Sequence, residues 1–534
     1  MRIRPFQFIF SMLYVFAAFT LAVAAEQPDA VPRFDIKSYR VEGNTLIAAD
    51  TIEPILAPFT GKRRDFGTVQ EAIDTLEQAY RDRGFSMVMV MLPEQELESG
   101  VVRLKVNEGR LGKINIEGNR YFDQANILRS LPALRQGTTP DLNSLSRSLK
   151  IANENPAKKI NVQLLNSEKE NEFDANISVK DEVPWKIGIS ADNTGNKQTG
   201  VARLGILLQN ANLFNRDQLL SLQYITSPEK ADRVSIYSLA YQVPIYALAA
   251  SIDLIGVYSN VDSGTVSAAT ASMNVSGRGS ILGIHYNQHL TRIGNYEHKL
   301  ILGLDYRAYE NNVDFLGTQL GNNVTVHPLS LTYAGALNRD NTFNSGFYLT
   351  YMQNLPGIWD GRDTATDIDK ARLSAPRGYN IIRYGANLSY LIGADWQARM
   401  LVSGQYTEDP LVPGEQYGLG GAGSIRGFAL REFANDQGYS GNVEIYTPDL
   451  TRQFGVTAFQ SRFLVFYDRG YVSRNNPQPG DTVSTQIASA GPGLRITDGK
   501  RFFFSVDCGF VVDPPDGNTT RWSSVWHLSA SALF

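Results

Sequence analysis

The sequence predicts two small α+β modules followed by a transmembrane β-barrel of about sixteen antiparallel strands. Three observations carry that prediction. The N-terminus has the build of an export signal, and no apolar run long enough for a spanning helix follows it. A domain-sized repeat occupies residues 34–181. From Trp185 to Phe534 the pattern changes to period-2 alternation broken by turn clusters.

Composition sets the class. The 534 residues carry 50 Lys and Arg against 54 Asp and Glu, a net charge of −4, so no basic field points to nucleic acid. One cysteine, Cys508, rules out an intrachain disulfide framework and a cysteine-rich zinc site. Charged residues make up 19%, below the usual ~25% of soluble domains.

At the N-terminus, Arg2 and Arg4 precede the apolar stretch Phe6 to Ala22, and Ala22-Val23-Ala24 offers the small residues of a cleavage site. Residues 1–24 therefore read as a secretory signal. An exported chain with no later spanning helix resides in a membrane only as a barrel.

The repeat is marked by Val41-Glu42-Gly43-Asn44 and Ile116-Glu117-Gly118-Asn119, at an offset of 75 residues. Each copy opens with a strand-like run, Phe34 to Val41 or Leu111 to Ile116, closed by Gly-Asn. A helical stripe follows: Val69, Ala72, Ile73, Leu76 and Tyr80 in the first copy, Leu142, Leu145 and Leu149 in the second. Gly84 stands where a helix-ending glycine is expected. Two strands finish each copy, Met87 to Leu92 with Val101 to Val106, then Ile160 to Leu165 with Phe173 to Val179. The predicted order is β-α-α-β-β twice, in modules spanning 34–108 and 110–181.

Residues 185–534 alternate. Ala202, Leu204, Ile206 and Leu208 oppose Arg203, Gly205 and Gln209; Trp526, Leu528, Ala530, Ala532 and Phe534 oppose His527, Ser529 and Ser531. One apolar face and one small or polar face fit lipid outside and a wet lumen inside. That division also explains a mean hydropathy of only −0.22. Strand starts are expected near 185, 200, 217, 233, 249, 274, 297, 323, 344, 380, 395, 440, 459, 485, 500 and 523. Short turns such as Gly393-Ala394-Asp395 alternate with long connections at 355–379 and 407–439.

Motifs for chemistry are few, and no catalytic or metal-binding residue is assigned. Gly418-Leu-Gly420-Gly-Ala-Gly423 matches a dinucleotide-binding string, but its flanks lack the required strand and helix. His285 and His289 share the lumen face of one strand, two positions apart on that face, and Cys508 falls on the lipid face. Two segments stand out: Ile425-Arg426-Gly427-Phe428 in the long connection, and Phe466-Tyr-Asp468-Arg-Gly470, where Phe466, Asp468 and Gly470 share a face. If the connection folds inward, Arg426 meets Asp468 in a guanidinium–carboxylate pair. Spacing alone leaves that reading level with a solvated arginine beside an unrelated wall aspartate.

Together these features resemble the two-partner secretion transporters of the TpsB family (ShlB, FhaC and HecB type) within the POTRA-barrel superfamily. Arg83-Gly84-Phe85, Leu92-Pro93, Glu108-Gly109, Asp192-Asn193-Thr194-Gly195 and Gly491-Pro-Gly493-Leu-Arg495 read the same way. The resemblance covers nearly all of the chain beyond the signal. It implies a non-enzymatic outer-membrane translocator, without cofactors, whose periplasmic POTRA domains take up an unfolded exported partner such as an adhesin, haemolysin or toxin. It also implies contact with outer-membrane lipid and insertion by the barrel assembly machinery, with no nucleic-acid partner. Carried over by motif, Arg426, Gly427 and Phe428 form the tip of a lumen loop, and Phe466, Asp468 and Gly470 form its wall partner. The substrate edge is expected at Leu76, Tyr80, Val88, Val90 and Leu92. Only residues 25–33 separate the signal from the first strand, so the plug helix frequent in the family is not expected. The alternatives are an outer-membrane assembly factor on the same architecture, or a passive porin-like channel, which has no use for a peptide-binding arm.

Overall fold

The computed structural model describes residues 32–534 apart from 97–98, 198, 262–263, 269–270, 276–277, 311–313, 316–317, 320–322, 340–341 and 517–518. The expected signal at 1–24 and residues 25–31 of the stretch after it lie outside the described residues. The chain divides into two compact units, one running to Arg81 with Val88–Glu108, the other Asp82–Met87 with Gly109–Phe534.

The first unit contains β1 (Phe34–Ile36), β2 (Ser38–Glu42), α1 (Ala49–Leu56), β3 (Gly61–Arg64), α2 (Phe66–Asp82), β4 (Val88–Met91) and β5 (Val101–Glu108). β2 runs parallel to β5 and β4 antiparallel to it, in the order β2-β5-β4. The expected first strand is broken: β1 leaves the sheet and pairs with β3 instead. All five residues of the α2 stripe are buried against this sheet.

The second module repeats the plan with β6 (Arg110–Glu117), α3 (Gln124–Ser130), α4 (Leu142–Glu154), β7 (Lys158–Asn166) and β8 (Glu172–Asp181), in the order β6-β8-β7 with β6 parallel to β8. The Gly-Asn signature has the same structural cause in both copies. Gly43 and Gly118 both adopt φ +83°, and a Cβ there would lie 2.5 Å from the Val106 carbonyl oxygen and 2.3 Å from that of Val179. Only glycine supplies both that conformation and that approach. The following asparagines donate through Nδ2 to the carbonyl three residues on, Asn44 to Ile47 and Asn119 to Phe122. α3 and α4 start on aspartate N-caps, Asp123 and Asp141.

Sixteen antiparallel strands then close into a barrel, the last, Ser524–Leu533, pairing with the first, Trp185–Asp192. The eighth strand is interrupted at His327, and both its parts (Val324–Val326 and Pro328–Arg339) pair with Tyr296–Glu310. Strand starts fall within about four residues of the expected positions, because alternation and turn residues are local signals. Leu204, Ile206, Trp526 and Leu528 face outward, whereas Arg203, Gln209 and His527 are buried inside. At the closing seam the Asn193 side chain acts as an extra strand residue. Its Nδ2 donates to the Trp526 carbonyl and its Oδ1 accepts from the Leu528 N–H, both at 2.8 Å.

Two connections differ from expectation. The stretch 355–379 holds a helix, α5 (Ala365–Ala371), where no helix was expected beyond Trp185; a Thr364–Asp367 capping box starts it. Its seven residues, about two turns, are too short to register as a periodic stripe. The lumen connection runs from the end of Trp396–Tyr406 to Gln437, slightly shorter than 407–439.

The second module is fastened to the barrel by a buried polar knot. Lys158 Nζ lies 2.6 Å from Asp217 Oδ2 and 3.0 Å from Asn126 Oδ1, and the Tyr246 hydroxyl donates to the same Asp217 oxygen at 2.6 Å. Burial pushes the Lys158 ammonium below its ordinary pKa, and Asp217 opposes that shift. Ala211, Leu219, Tyr246 and Ala249 complete one apolar cluster with the module's core.

Candidate functional site

The site forms where the lumen loop meets the barrel wall. The loop narrows at a hairpin, Tyr417–Leu419 against Phe433–Asn435, and the glycine string lies on this neck and beyond it, with Gly420 and Gly421 at positive φ. This is why glycines cluster there without a nucleotide site. Leu419 at the neck and Ile425 and Phe428 beyond it are buried with Val472, Ile487 and Val511 of the wall. Phe428 meets Phe433 edge-on at 5.8 Å.

Arg426 is 2% exposed. Its Nε and Nη2 donate to Asp468 Oδ2 and Oδ1 at 2.8 and 2.7 Å, and its main-chain N–H donates to Oδ2 at 3.0 Å. Nη1 donates to Glu444 Oε1 at 2.6 Å, and Asp507 Oδ1 lies 3.6 Å away. The guanidinium stacks 3.5 Å above the Phe466 ring. Asp468, fully buried, also accepts from Asn442 Nδ2 at 2.8 Å. A forked planar cation satisfies two acceptors of one carboxylate and reaches a second, which a lysine cannot do.

The glycines make room for this contact. Gly427 adopts φ +110°, and a Cβ on Gly509 would sit 2.4 Å from the Arg426 carbonyl carbon and the Gly427 nitrogen. A Cβ on Gly470 would strike Leu419 at 2.8 Å.

The structure thus brings Arg426, Gly427, Phe428, Phe466, Asp468 and Gly470 together. Sequence reasoning missed Glu444, Asn442, Asp507 and Gly509, whose only signal is a charged, amide or tiny residue on the lumen face of an alternating strand. His285 and His289 part company: His285 Nε2 lies 2.8 Å from Asp305, whereas His289 lies 3.5 Å from Glu154 of α4. Cys508 is buried opposite Trp526 in the register.

A family model described as haemolysin secretion/activation protein ShlB/FhaC/HecB matches residues 172–496, and one for the ShlB-type POTRA domain matches 34–109. The chain belongs to this family. It is an outer-membrane transporter of two-partner secretion, and its POTRA domains lie in the periplasm. It is similar to the heme/hemopexin transporter protein HuxB of Haemophilus influenzae, 20% identical over 91% of this chain and 84% of that one. The outer membrane transporter CdiB of Dickeya dadantii is 22% identical over 76% and 71%. Among solved structures, CdiB from Escherichia coli superposes with a TM-score of 0.74 at 18% identity, covering 96% of this chain and 93% of that one.

One expectation for the transporter needs correction. The side chains assigned to its substrate edge do not face outward: Leu76 and Tyr80 are fully buried, Val88 and Val90 nearly so, and Leu92 is half-buried. Leu76, Tyr80, Val88 and Val90 belong to the core of the first POTRA domain, with the Tyr80 hydroxyl donating to Asn44 Oδ1 at 2.7 Å. The apolar side chains of a short edge strand are the ones that alternation turns inward. The outward side chains of β4 are Met89 and Met91, 51% and 41% exposed.

Proposed function

We propose that the transporter passes its partner through the barrel as an extended chain, and that the lumen loop is the obstruction that moves to let it through. The supporting observation is the Arg426–Asp468 contact: a loop tip held by a buried forked ion pair inside a polar lumen is fastened reversibly, without covalent change. Arg426, Gly427 and Phe428 then form the movable tip, with Phe466, Asp468 and Gly470 as its seat. The partner is first engaged by its main chain along the outer edge of β4, beside Met89 and Met91, a mode that needs little side-chain readout. Val90 N–H, now donating to Glu77 Oε1 at 2.9 Å, is one group an added strand would take over. The partner is a large exported protein of the adhesin, haemolysin or toxin kind. Outer-membrane lipid surrounds the barrel and the barrel assembly machinery inserts it; the mechanism uses no catalytic residue and no cofactor.

Deleting the gene and comparing secreted and surface proteins by mass spectrometry tests this reading. Loss of one large exported protein, with other barrels unchanged, is expected. A general fall in outer-membrane barrels would replace it with an assembly function, and no change in either would leave a passive channel.

A further inference from the structure

The loop has a second anchorage that no sequence motif marks. Glu415, on its leading limb, is fully buried. Arg307 Nη1 donates to its two carboxylate oxygens at 2.8 and 3.0 Å, Arg383 Nη2 to Oε2 at 3.2 Å and the Tyr309 hydroxyl to Oε1 at 2.7 Å. The network continues along the wall: Arg307 Nη2 reaches Asp305 at 2.6 Å, and Asp305 meets His285. Gln405 Nε2 donates to the carbonyls of Glu415 and Asp436, tying both limbs of the loop together.

The placement gives these contacts their meaning. Arg307 lies on the seventh barrel strand and Arg383 on the tenth, whereas Arg426 is held by the twelfth, thirteenth and fifteenth. The seventh and fifteenth strands are half a turn apart in a ring of sixteen. Between the limb and the wall lies a cavity of about 520 Å³, lined by His285, Arg307, Arg383, Gln416 and Arg431 among others. The loop is therefore a strut across the lumen, pinned at both walls by buried charge.

We infer that Glu415 is the second pin of a two-point latch, a positioning residue that keeps the leading limb against one wall while Arg426 keeps the tip against the other. With one pin lost the other still holds the loop most of the time and lets it lift only briefly, and a wide path stays open when both let go. This rests on the loop being the obstruction proposed above, but its test needs no exported partner.

Purified full-length protein in planar lipid bilayers reads the latch directly as conductance. Glu415→Gln and Arg426→Ala each give brief openings above the wild type, and the double variant gives sustained conductance several-fold above either single one. Glu415→Asp, which keeps the charge, stays close to wild type. Heat-modifiable gel migration confirms barrel assembly in each case. If Glu415→Gln does not assemble, Arg383→Gln, which removes one donor and leaves Arg307 in place, decides by the same readout. A single variant as quiet as the wild type, or a double variant no more open than Arg426→Ala, overturns the inference. Normal latch behaviour in a chain that secretes no partner would refute the secretion reading and leave the latch standing.

Discussion

Arg426 and Asp468, 42 residues apart, are joined by three hydrogen bonds to one carboxylate, two from the guanidinium and one from the arginine's own main-chain N–H. The main-chain bond fixes the loop's backbone, and the side-chain fork fixes its direction. Truncating the arginine side chain therefore removes the fork and leaves Asp468 buried with the loop's main-chain N–H, Asn442 and Ser489 as its neighbours. Breaking one side of a buried ion pair costs about 3–5 kcal/mol where water stays out. Arg426→Ala is expected to impair secretion strongly while the barrel still assembles. Arg426→Lys keeps the charge but loses the fork, and falls between. Wild-type levels of secreted partner from Arg426→Ala, at equal barrel abundance, would end the role given to this residue.

Gly509 offers a test that leaves every charged group in place. A methyl there meets the loop main chain at 2.4 Å, and the tip must lift to accommodate it. Gly509→Ala should cost about 1–3 kcal/mol of loop seating and reproduce the secretion defect of Arg426→Ala in milder form. Limited proteolysis of the loop in the intact protein would report the loosening; unchanged cleavage would show that the strand shifts instead.

At the junction of the second POTRA domain with the barrel, Lys158→Met strands the Asp217 carboxylate in a buried site. Asp217 Oδ1 has no hydrogen-bond partner even with the lysine present. The single substitution should weaken docking by about 3–5 kcal/mol, whereas Lys158→Met with Asp217→Asn, which removes the charge and keeps a side chain suited to the positive φ there, should recover much of that loss. Hydrogen exchange of β7 and β8 in the full chain separates the two outcomes. Equal protection in wild type and Lys158→Met would show the ion pair to be dispensable.

In the first POTRA domain, core and surface residues should fail differently. Leu76→Ala removes a fully buried side chain, costs about 2–5 kcal/mol, and should abolish secretion by unfolding the domain, visible as rapid proteolysis. Met89→Asp with Met91→Asp should leave the domain resistant to protease and still reduce partner capture. Undiminished secretion from the double aspartate variant would remove the β4 edge from the mechanism.

The sequence was most legible where structure is written locally. Alternation gave the sixteen strands and their faces, because a barrel wall places every second residue in lipid and the others in the lumen. The Gly-Asn pair gave the module repeat, because the same positive-φ turn against a neighbouring carbonyl recurs in each copy. The (I/V)-R-G-(F/Y) and F-x-D-x-G segments could be seen, but spacing left their pairing open.

Tertiary structure decided what local pattern cannot carry. Closing the barrel puts Asp468, Glu444 and Asp507 from three strands around one guanidinium, and sets Arg307 on the wall opposite the tip. That arrangement depends on register and strand order around the ring, which no window of neighbouring residues encodes. The same limit explains why the side chains expected at the β4 edge are core residues instead. Alternation identifies two faces but does not say which apolar residues the domain keeps for its own core, and the sheet packing on α2 claims Leu76, Tyr80, Val88 and Val90.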